Sequence, residues 1–272
     1  MEPIYRYFRP HEWDYLFPEK GTGTIRFTPI TETNDPHEGK VDLLGVARDK
    51  HDLMRLKDVR HIDGLSNVID LVSNLPEQNI KIALNTYGKM FYDELRKRRP
   101  HFGIFSATSN NKSTVMWEHY GVKHTGFMVE FNASHPLFNA PHGLENVFVT
   151  LQKVNYSTEM PKKYLTDLIF NPTEVYCKKH NDWKYEDEVR IIYGLDHEVF
   201  LDGSIKGCTP IKIDLIKSVT FGCRCSWEKL ACQIQRNPMY DKIQLFKASI
   251  EEDSYTLSYE PLPSNYCQFH KV

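Results

Sequence analysis

The chain lacks any run of about 18 uninterrupted apolar residues, the length a membrane-spanning helix needs, so no bilayer segment is expected. It has no excess of either charge: 34 Lys and Arg stand against 36 Asp and Glu, a formal net charge of −2, which excludes a polybasic surface that holds nucleic acid by charge alone. Its six Cys form neither a CxxC pair nor a dense ladder, so reduced thiols are expected rather than a zinc ribbon or a stapled secreted scaffold. The opening residues carry no apolar stretch behind a basic start, and a cytoplasmic location is the expectation. GxGxxG opening a helix, GxxxxGK[ST], HExxH and GxSxG are all missing, which withdraws the usual support for dinucleotide-binding, P-loop, zincin and hydrolase-elbow readings. No repeat, low-complexity tract or Gly/Ser linker divides the 272 residues, a length that buries a core without a metal or disulfide.

What is present is aromatic and alternating. Ile4 to Phe8 reads as a first strand that carries a cation, Arg6, and Thr24 to Thr28 as a second. Asn34-Asp35-Pro36-His37-Glu38-Gly39 is a cluster of turn formers. From about 50 to 99, apolar residues recur at broken three and four spacing, which predicts helices divided at Pro76; a basic run, Arg96 to Arg99, ends the second before Pro100. Strand signals follow at Phe102 to Ala107, Gly126 to Phe131, Val147 to Asn155, Val189 to Tyr193, Ile211 to Leu215, Val219 to Cys223, Ile243 to Phe246 and Tyr255 to Tyr259. Short helices are expected at 112 to 120, 159 to 169 and 226 to 236. The expected fold class is α+β: one domain, 1–272, with a largely antiparallel mixed sheet interrupted by a helical insertion at about 50–99.

Trp183-Lys184-Tyr185-Glu186-Asp187-Glu188-Val189-Arg190 is the most informative stretch. Were it all strand, period two would put Glu186, Glu188 and Arg190 on one face, with the carboxylates about 7 Å apart. Such a pair can divide labour, one stabilising positive charge at a sugar carbon and the other taking a proton from the attacking group; a solvated edge bridged by Arg190 is the plainer reading. Ser106, Thr108 and Ser109 close the strand before the 112 to 120 helix, where hydroxyls either hold a ligand ribose or amide or serve as caps. Trp117 and Tyr120 share a helical face, the pattern of core packing as well as of a ring platform, while His119 and His124 are proton-shuttle candidates or satisfied imidazoles. Arg6 suits phosphate or a neighbouring acid. In the loop at Asp35 and Glu38, a hard-metal site competes with an ordinary turn. Cys223, Cys225, Cys232 and Cys267 lack zinc spacing and read as thiols, and no metal site is expected.

Tyr5-Arg6-Tyr7, Thr24 to Thr28 with Asn34-Asp35-Pro36-Glu38, Phe105-Ser106, Met116-Trp117 with His119-Tyr120, Gly126-Phe127, and Trp183-Tyr185-Glu186-Glu188-Arg190 follow in an order that resembles the bacterial domain of unknown function 2971 family over about residues 4 to 225. That family name carries no chemistry. A second, motif-level resemblance does: Arg on the first strand, Ser-x-Thr-Ser ending a later one and Glu-x-Glu entering a further one are similar to the ADP-ribosyltransferase signature. It implies an ADP-ribosyltransferase-like fold and NAD as the substrate. Arg6 would hold the dinucleotide, Ser106 and Thr108 the ribose end, Glu188 would stabilise the oxocarbenium, and Glu186 would activate the acceptor. Tyr185 or Tyr120 would stack on nicotinamide, and Trp117 and His119 are further candidates. The resemblance implies a macromolecular acceptor, protein or nucleic acid, and a setting as a bacterial toxin or phage-defence effector. Two rival expectations are a metal-dependent nucleic-acid-processing effector and a non-catalytic sensor of a nucleotide or phage protein.

Overall fold

The computed structural model describes residues 2–58, 65–97, 102–139, 151–171, 173–194 and 207–269. The described strands are β1 (Ile4–Phe8), β2 (Thr24–Arg26), β3 (Thr28–Pro29), β4 (Asp42–Gly45), β5 (Phe102–Thr108), β6 (Phe127–Phe131), β7 (Leu151–Lys153) and β8 (Asn155–Ser157). They continue with β9 (Lys162–Tyr164), β10 (Lys178–His180), β11 (Glu188–Gly194), β12 (Cys208–Pro210), β13 (Ile216–Phe221), β14 (Gln244–Ile250) and β15 (Leu257–Pro261). The helices are α1 (Trp13–Leu16), α2 (Lys50–Met54), α3 (Leu65–Ser73), α4 (Glu77–Lys97), α5 (Thr114–His119), α6 (Leu165–Phe170), α7 (Thr173–Tyr176), α8 (Glu228–Arg236) and α9 (Tyr266–Phe269).

The main sheet runs β15-β14-β13-β6-β1-β5-β11-β7, with β3 also on β5. Its pairs are antiparallel except β13 with β14, so the class is α+β with a mostly antiparallel sheet. Strand period two gives it two buried faces. One carries Ile4, Phe8, Phe105, Phe127, Val129, Phe131 and Ile191 into the principal core, closed by Trp13 and Leu16 of α1 and Ala231 and Ile234 of α8. The other carries Tyr7 and Met128 against Trp117 of α5, with Ala248 of β14. A separate apolar cluster, with Leu53, Ile69, Val72, Ile80 and Leu84, packs α2, α3, α4 and α6 together. Helices α3 and α4 break where Pro76 precludes continuation.

Several expectations need correction. Ile211 to Leu215 is not a strand: β12 ends at Pro210 and Ile213–Leu215 is a 3-10 turn. Ile211 and Leu215 are both buried in the main core, and a spacing of four puts two residues on one face of a strand as well as of a turn, so the apolar pattern alone does not separate the two. The helix expected at 159 to 169 begins only at Leu165, because Lys162–Tyr164 pairs in parallel with β4. Cys232 and Cys267 are not free thiols; they form a disulfide, Cα to Cα 5.3 Å, tying α8 to α9. The beginning of the strand expected at Val147 to Asn155, the end of the basic run (Arg98, Arg99) and Pro100 lie outside the described residues.

Candidate functional site

The outer part of the second sheet face is polar. Register places Tyr5 of β1 opposite Thr108 of β5, and Thr108 opposite Glu188 of β11, with Arg190 opposite Ser106. Ser106, Thr108, Glu188 and Arg190 therefore share one face. Arg6 is out of step with them. It pairs with Val129 and lies over the rings of Phe8 and Phe105, 5.3 and 4.7 Å from their centroids, on the principal-core side. Its Nη1 is buried with no hydrogen-bond partner among the described residues. Burial lowers its pKa, and the neighbouring charges of Glu12 and Glu188 only partly offset this. The expectation that Arg6 shares one cavity with Ser106 and Glu188 is thus corrected by strand parity.

Glu186 and Glu188 reach one site by a different route from a continuous strand. Asn181–Glu186 is a 3-10 helix, and Asp187 is left-handed, with φ at 42°. The strand starts only at Glu188. Asp187 holds the reversal by accepting a hydrogen bond from Ser109 Oγ. The turn folds Glu186 back toward Glu188, and both bond one ammonium: Lys179 Nζ of β10 donates to Glu186 Oε2 at 2.5 Å and to Glu188 Oε2 at 3.2 Å.

The neighbours complete a buried charge network. Arg190 Nε and Nη2 donate to the two oxygens of Glu188 at 2.7 and 2.9 Å, and Nη1 and Nη2 to those of Glu38 at 2.6 and 2.8 Å. Arg190 Nη1 also donates to the Tyr176 carbonyl at 2.5 Å. Tyr120 Oη donates to Glu186 Oε1 at 2.5 Å and accepts from Asn34 Nδ2 at 3.0 Å. Tyr156 Oη accepts from the Glu188 amide at 2.8 Å. Three carboxylates thus meet two cations, and one negative charge is left over if all are ionised.

That imbalance separates the acids. Burial pushes Glu188 up, but the charges of Arg190 and Lys179, with hydrogen bonds from Arg190 and Ser106, outweigh it and hold the group at about 2. For Glu186, burial together with the Glu188 charge wins over Lys179, and its pKa is raised; burial raises Glu38 in the same way against Arg190. Lys179 is raised despite its burial, because two carboxylates face it. Burial and Glu186 raise Tyr120, so it stays a hydrogen-bond donor.

Lys179 is also part of a cleft of about 430 Å³, formed by the turn at Asp35 to Lys40, the loop 157–161 and the segment from Lys178 to Trp183. Its Nζ sits 4.6 Å above the Trp183 ring. Lys179 therefore connects the cleft with the buried carboxylates.

The other candidates divide. Tyr120 is in the network, and Tyr185 lies beside it, its ring 6.2 Å from Trp183 and 6.3 Å from the exposed His119. Thr108 is buried, its Oγ1 accepting from the Asn110 amide at 2.9 Å, and Ser113 Oγ caps α5. Trp117 is fully buried in the second core and donates to Tyr259 Oη at 3.1 Å, a packing role away from the cleft. Among the described residues no group of three or more His, Cys, Asp or Glu is arranged to hold a metal. Lys179 and Tyr156 were missed from sequence. One signal pointed near them: Arg190 stands in an otherwise apolar strand, Val189 to Tyr193, and a buried guanidinium demands carboxylates.

Fold and site define an α+β protein with a buried carboxylate–ammonium network opening on a cleft. Residues 116–191, which include most of α5, Lys179 and the Glu186 to Arg190 turn and strand, match the family described as protein of unknown function (DUF2971), supporting the first resemblance. No curated protein and no solved structure matches the chain. Among the described residues, no helix is long and apolar enough to cross a membrane.

Proposed function

We propose that the chain consumes NAD, breaking the bond between nicotinamide and ribose and passing ADP-ribose to water or a macromolecular acceptor. The observation that carries the reading is the pair Glu186 and Glu188 on a single ammonium, Lys179, that also lines the cleft. Two carboxylates held at different proton affinities are the equipment of glycosidic chemistry, where one stays ionised and the other exchanges a proton.

Both acids are buried, so roles follow from proton affinity. Glu188 has its oxygens taken by Arg190, Lys179 and Ser106, so it acts as a fixed negative charge that positions Lys179. Glu186, raised in pKa and bonded to Tyr120 and Lys179, is the group suited to accept a proton. Nicotinamide leaves with the electron pair of the broken bond; the acceptor oxygen forms the new bond to the ribose carbon, and its proton goes to Glu186. The ADP-ribosyltransferase-like fold belongs to this proposal, supported by Ser106 and Glu188 lying on adjacent strands. Arg6 stands outside it.

The test is mass analysis of free nicotinamide and of ADP-ribosylated products after incubation with NAD and bacterial lysate. Glu186→Gln is expected to lower turnover at least a hundredfold with the fold intact, and Glu188→Gln to lower it as well. Nicotinamide release unchanged in Glu186→Gln removes the assignment. A second reading, a non-catalytic nucleotide sensor, draws on the completeness of the Arg190 network, in which Glu188 and Arg190 are 5% and 1% exposed. NAD binding without any release of nicotinamide selects it.

A further inference from the structure

The NAD reading needs an anchor for phosphate, and Arg6, the residue expected to supply it, faces the apolar core. The cleft offers a different one. Its basic side chains are His37, Lys40, Lys178, Lys179 and His180, and its acids are Asp35, Glu159 and Asp182.

Half of these are already engaged. Lys179 is spent on Glu186 and Glu188. Asp35 is buried and accepts the His37 amide at 2.8 Å, stabilising its own turn. Asp182 lies 3.1 Å from His180 Nδ1. Lys40 and Lys178 remain, two ammonium groups on opposite chain segments of the cleft, and no carboxylate among the described residues is within ion-pair distance of either. Glu159 is an exposed loop residue; counted with Asp35 and Asp182, the cleft's three acids equal its three lysines in number, so the pull on an anion comes from where the unpaired Lys40 and Lys178 stand and not from a net positive charge. Trp183 adds a planar apolar wall beside them. A volume of about 430 Å³ is within the range of small-molecule sites.

We infer that this cleft binds the phosphate-bearing part of a nucleotide, with Lys40 and Lys178 contacting the phosphates and Trp183 facing a ring. The inference rests on the NAD reading for the identity of the nucleotide, and it moves the phosphate anchor from Arg6 to the two lysines. Each lysine meets phosphate as a point charge, so the binding is expected to weaken with salt.

Calorimetric titration of the full chain with ADP-ribose tests it, with adenosine as the phosphate-free comparator. ADP-ribose is expected to bind, adenosine to bind at least tenfold more weakly, and Lys40→Gln/Lys178→Gln to lower ADP-ribose affinity at least tenfold with an unchanged melting temperature. Trp183→Phe is expected to retain binding and Trp183→Ala to weaken it severalfold. Absence of ADP-ribose binding to the unaltered chain, or equal affinity in the double lysine variant, overturns the assignment. Failure of the two ideas is distinguishable. Lysine-dependent ADP-ribose binding without nicotinamide release from NAD ends the catalytic reading and keeps the cleft. Nicotinamide release with an unaltered KM in the double variant ends the cleft and keeps the chemistry.

Discussion

Arg190 shows what a buried cation requires. Its guanidinium is held by both oxygens of Glu38 and both of Glu188, with the Tyr176 carbonyl as a further acceptor. Removing it strands Glu38 and leaves Glu188 with Lys179 alone, and breaking a buried pair from one side typically costs about 3–5 kcal/mol. Arg190→Met is therefore expected to destabilise the chain by about that amount in urea titration. Adding Glu38→Gln to it should restore part of the loss, because one stranded charge is then gone; two fully additive losses would mean that the side chains act independently. The sequence made Arg190 conspicuous, since an Arg among Val189, Ile191, Ile192 and Tyr193 has no reason to be buried unpaired. It did not name Glu38 as the partner. The two lie 152 positions apart, and only the closure of the turn at Asp35 onto β11 brings them together.

Between Glu186 and Glu188 the deciding element is a single turn. Alternation along an unbroken strand places both acids on one face, and they do meet, but through a 3-10 helix closed by a left-handed Asp187. The reversal is invisible to hydrophobic periodicity because it occupies one residue. Asp tolerates that conformation better than a β-branched side chain, which adds about 1–3 kcal/mol of strain there. Asp187→Gly is expected to keep the melting temperature within a few degrees despite losing the Ser109 bond, whereas Asp187→Val should lower it clearly and reduce any activity that depends on Glu186. Equal behaviour of the two variants would deny the turn its role. Arg6 is the opposite lesson: its strand was legible and its face was not. Which side of β1 is polar depends on the registers with β5 and β6, and those are set by partners about 100 residues away.

Across the whole molecule, the α+β class, the helices between 50 and 97 and most main-sheet strands follow from local pattern, because each buries an apolar face with a recognisable period. The short strands β4, β8, β9, β10 and β12 escape it, being pairings of three residues each made by tertiary contact. Two of them build the buried network, since β10 delivers Lys179 and its partner β8 delivers Tyr156. The same network gives the folded state a pH signature of opposing signs. Glu188 falls from an ordinary 4.5 to about 2, so the stability it contributes is complete above 4.5 and is lost as pH drops toward 2, about 3 kcal/mol in all. Glu186 and Glu38 are raised, so each favours the folded state when protonated, and that contribution fades as pH climbs from 4.5 through their folded values. His124 and Asp52 also shift, His124 lowered by burial and Asp52 lowered against its own burial by Thr166 and its other hydrogen bonds, so each variant is compared with the parent chain at the same pH. Thermal midpoints between pH 2 and 8 are expected to show Glu188→Gln losing less stability than the parent below pH 4.5. Glu186→Gln should gain relative to the parent as pH rises above 4.5, because the amide spares the folded state a second buried negative charge beside Glu188. Parallel curves for all three proteins would mean that Lys179 and Arg190 do not hold these acids apart.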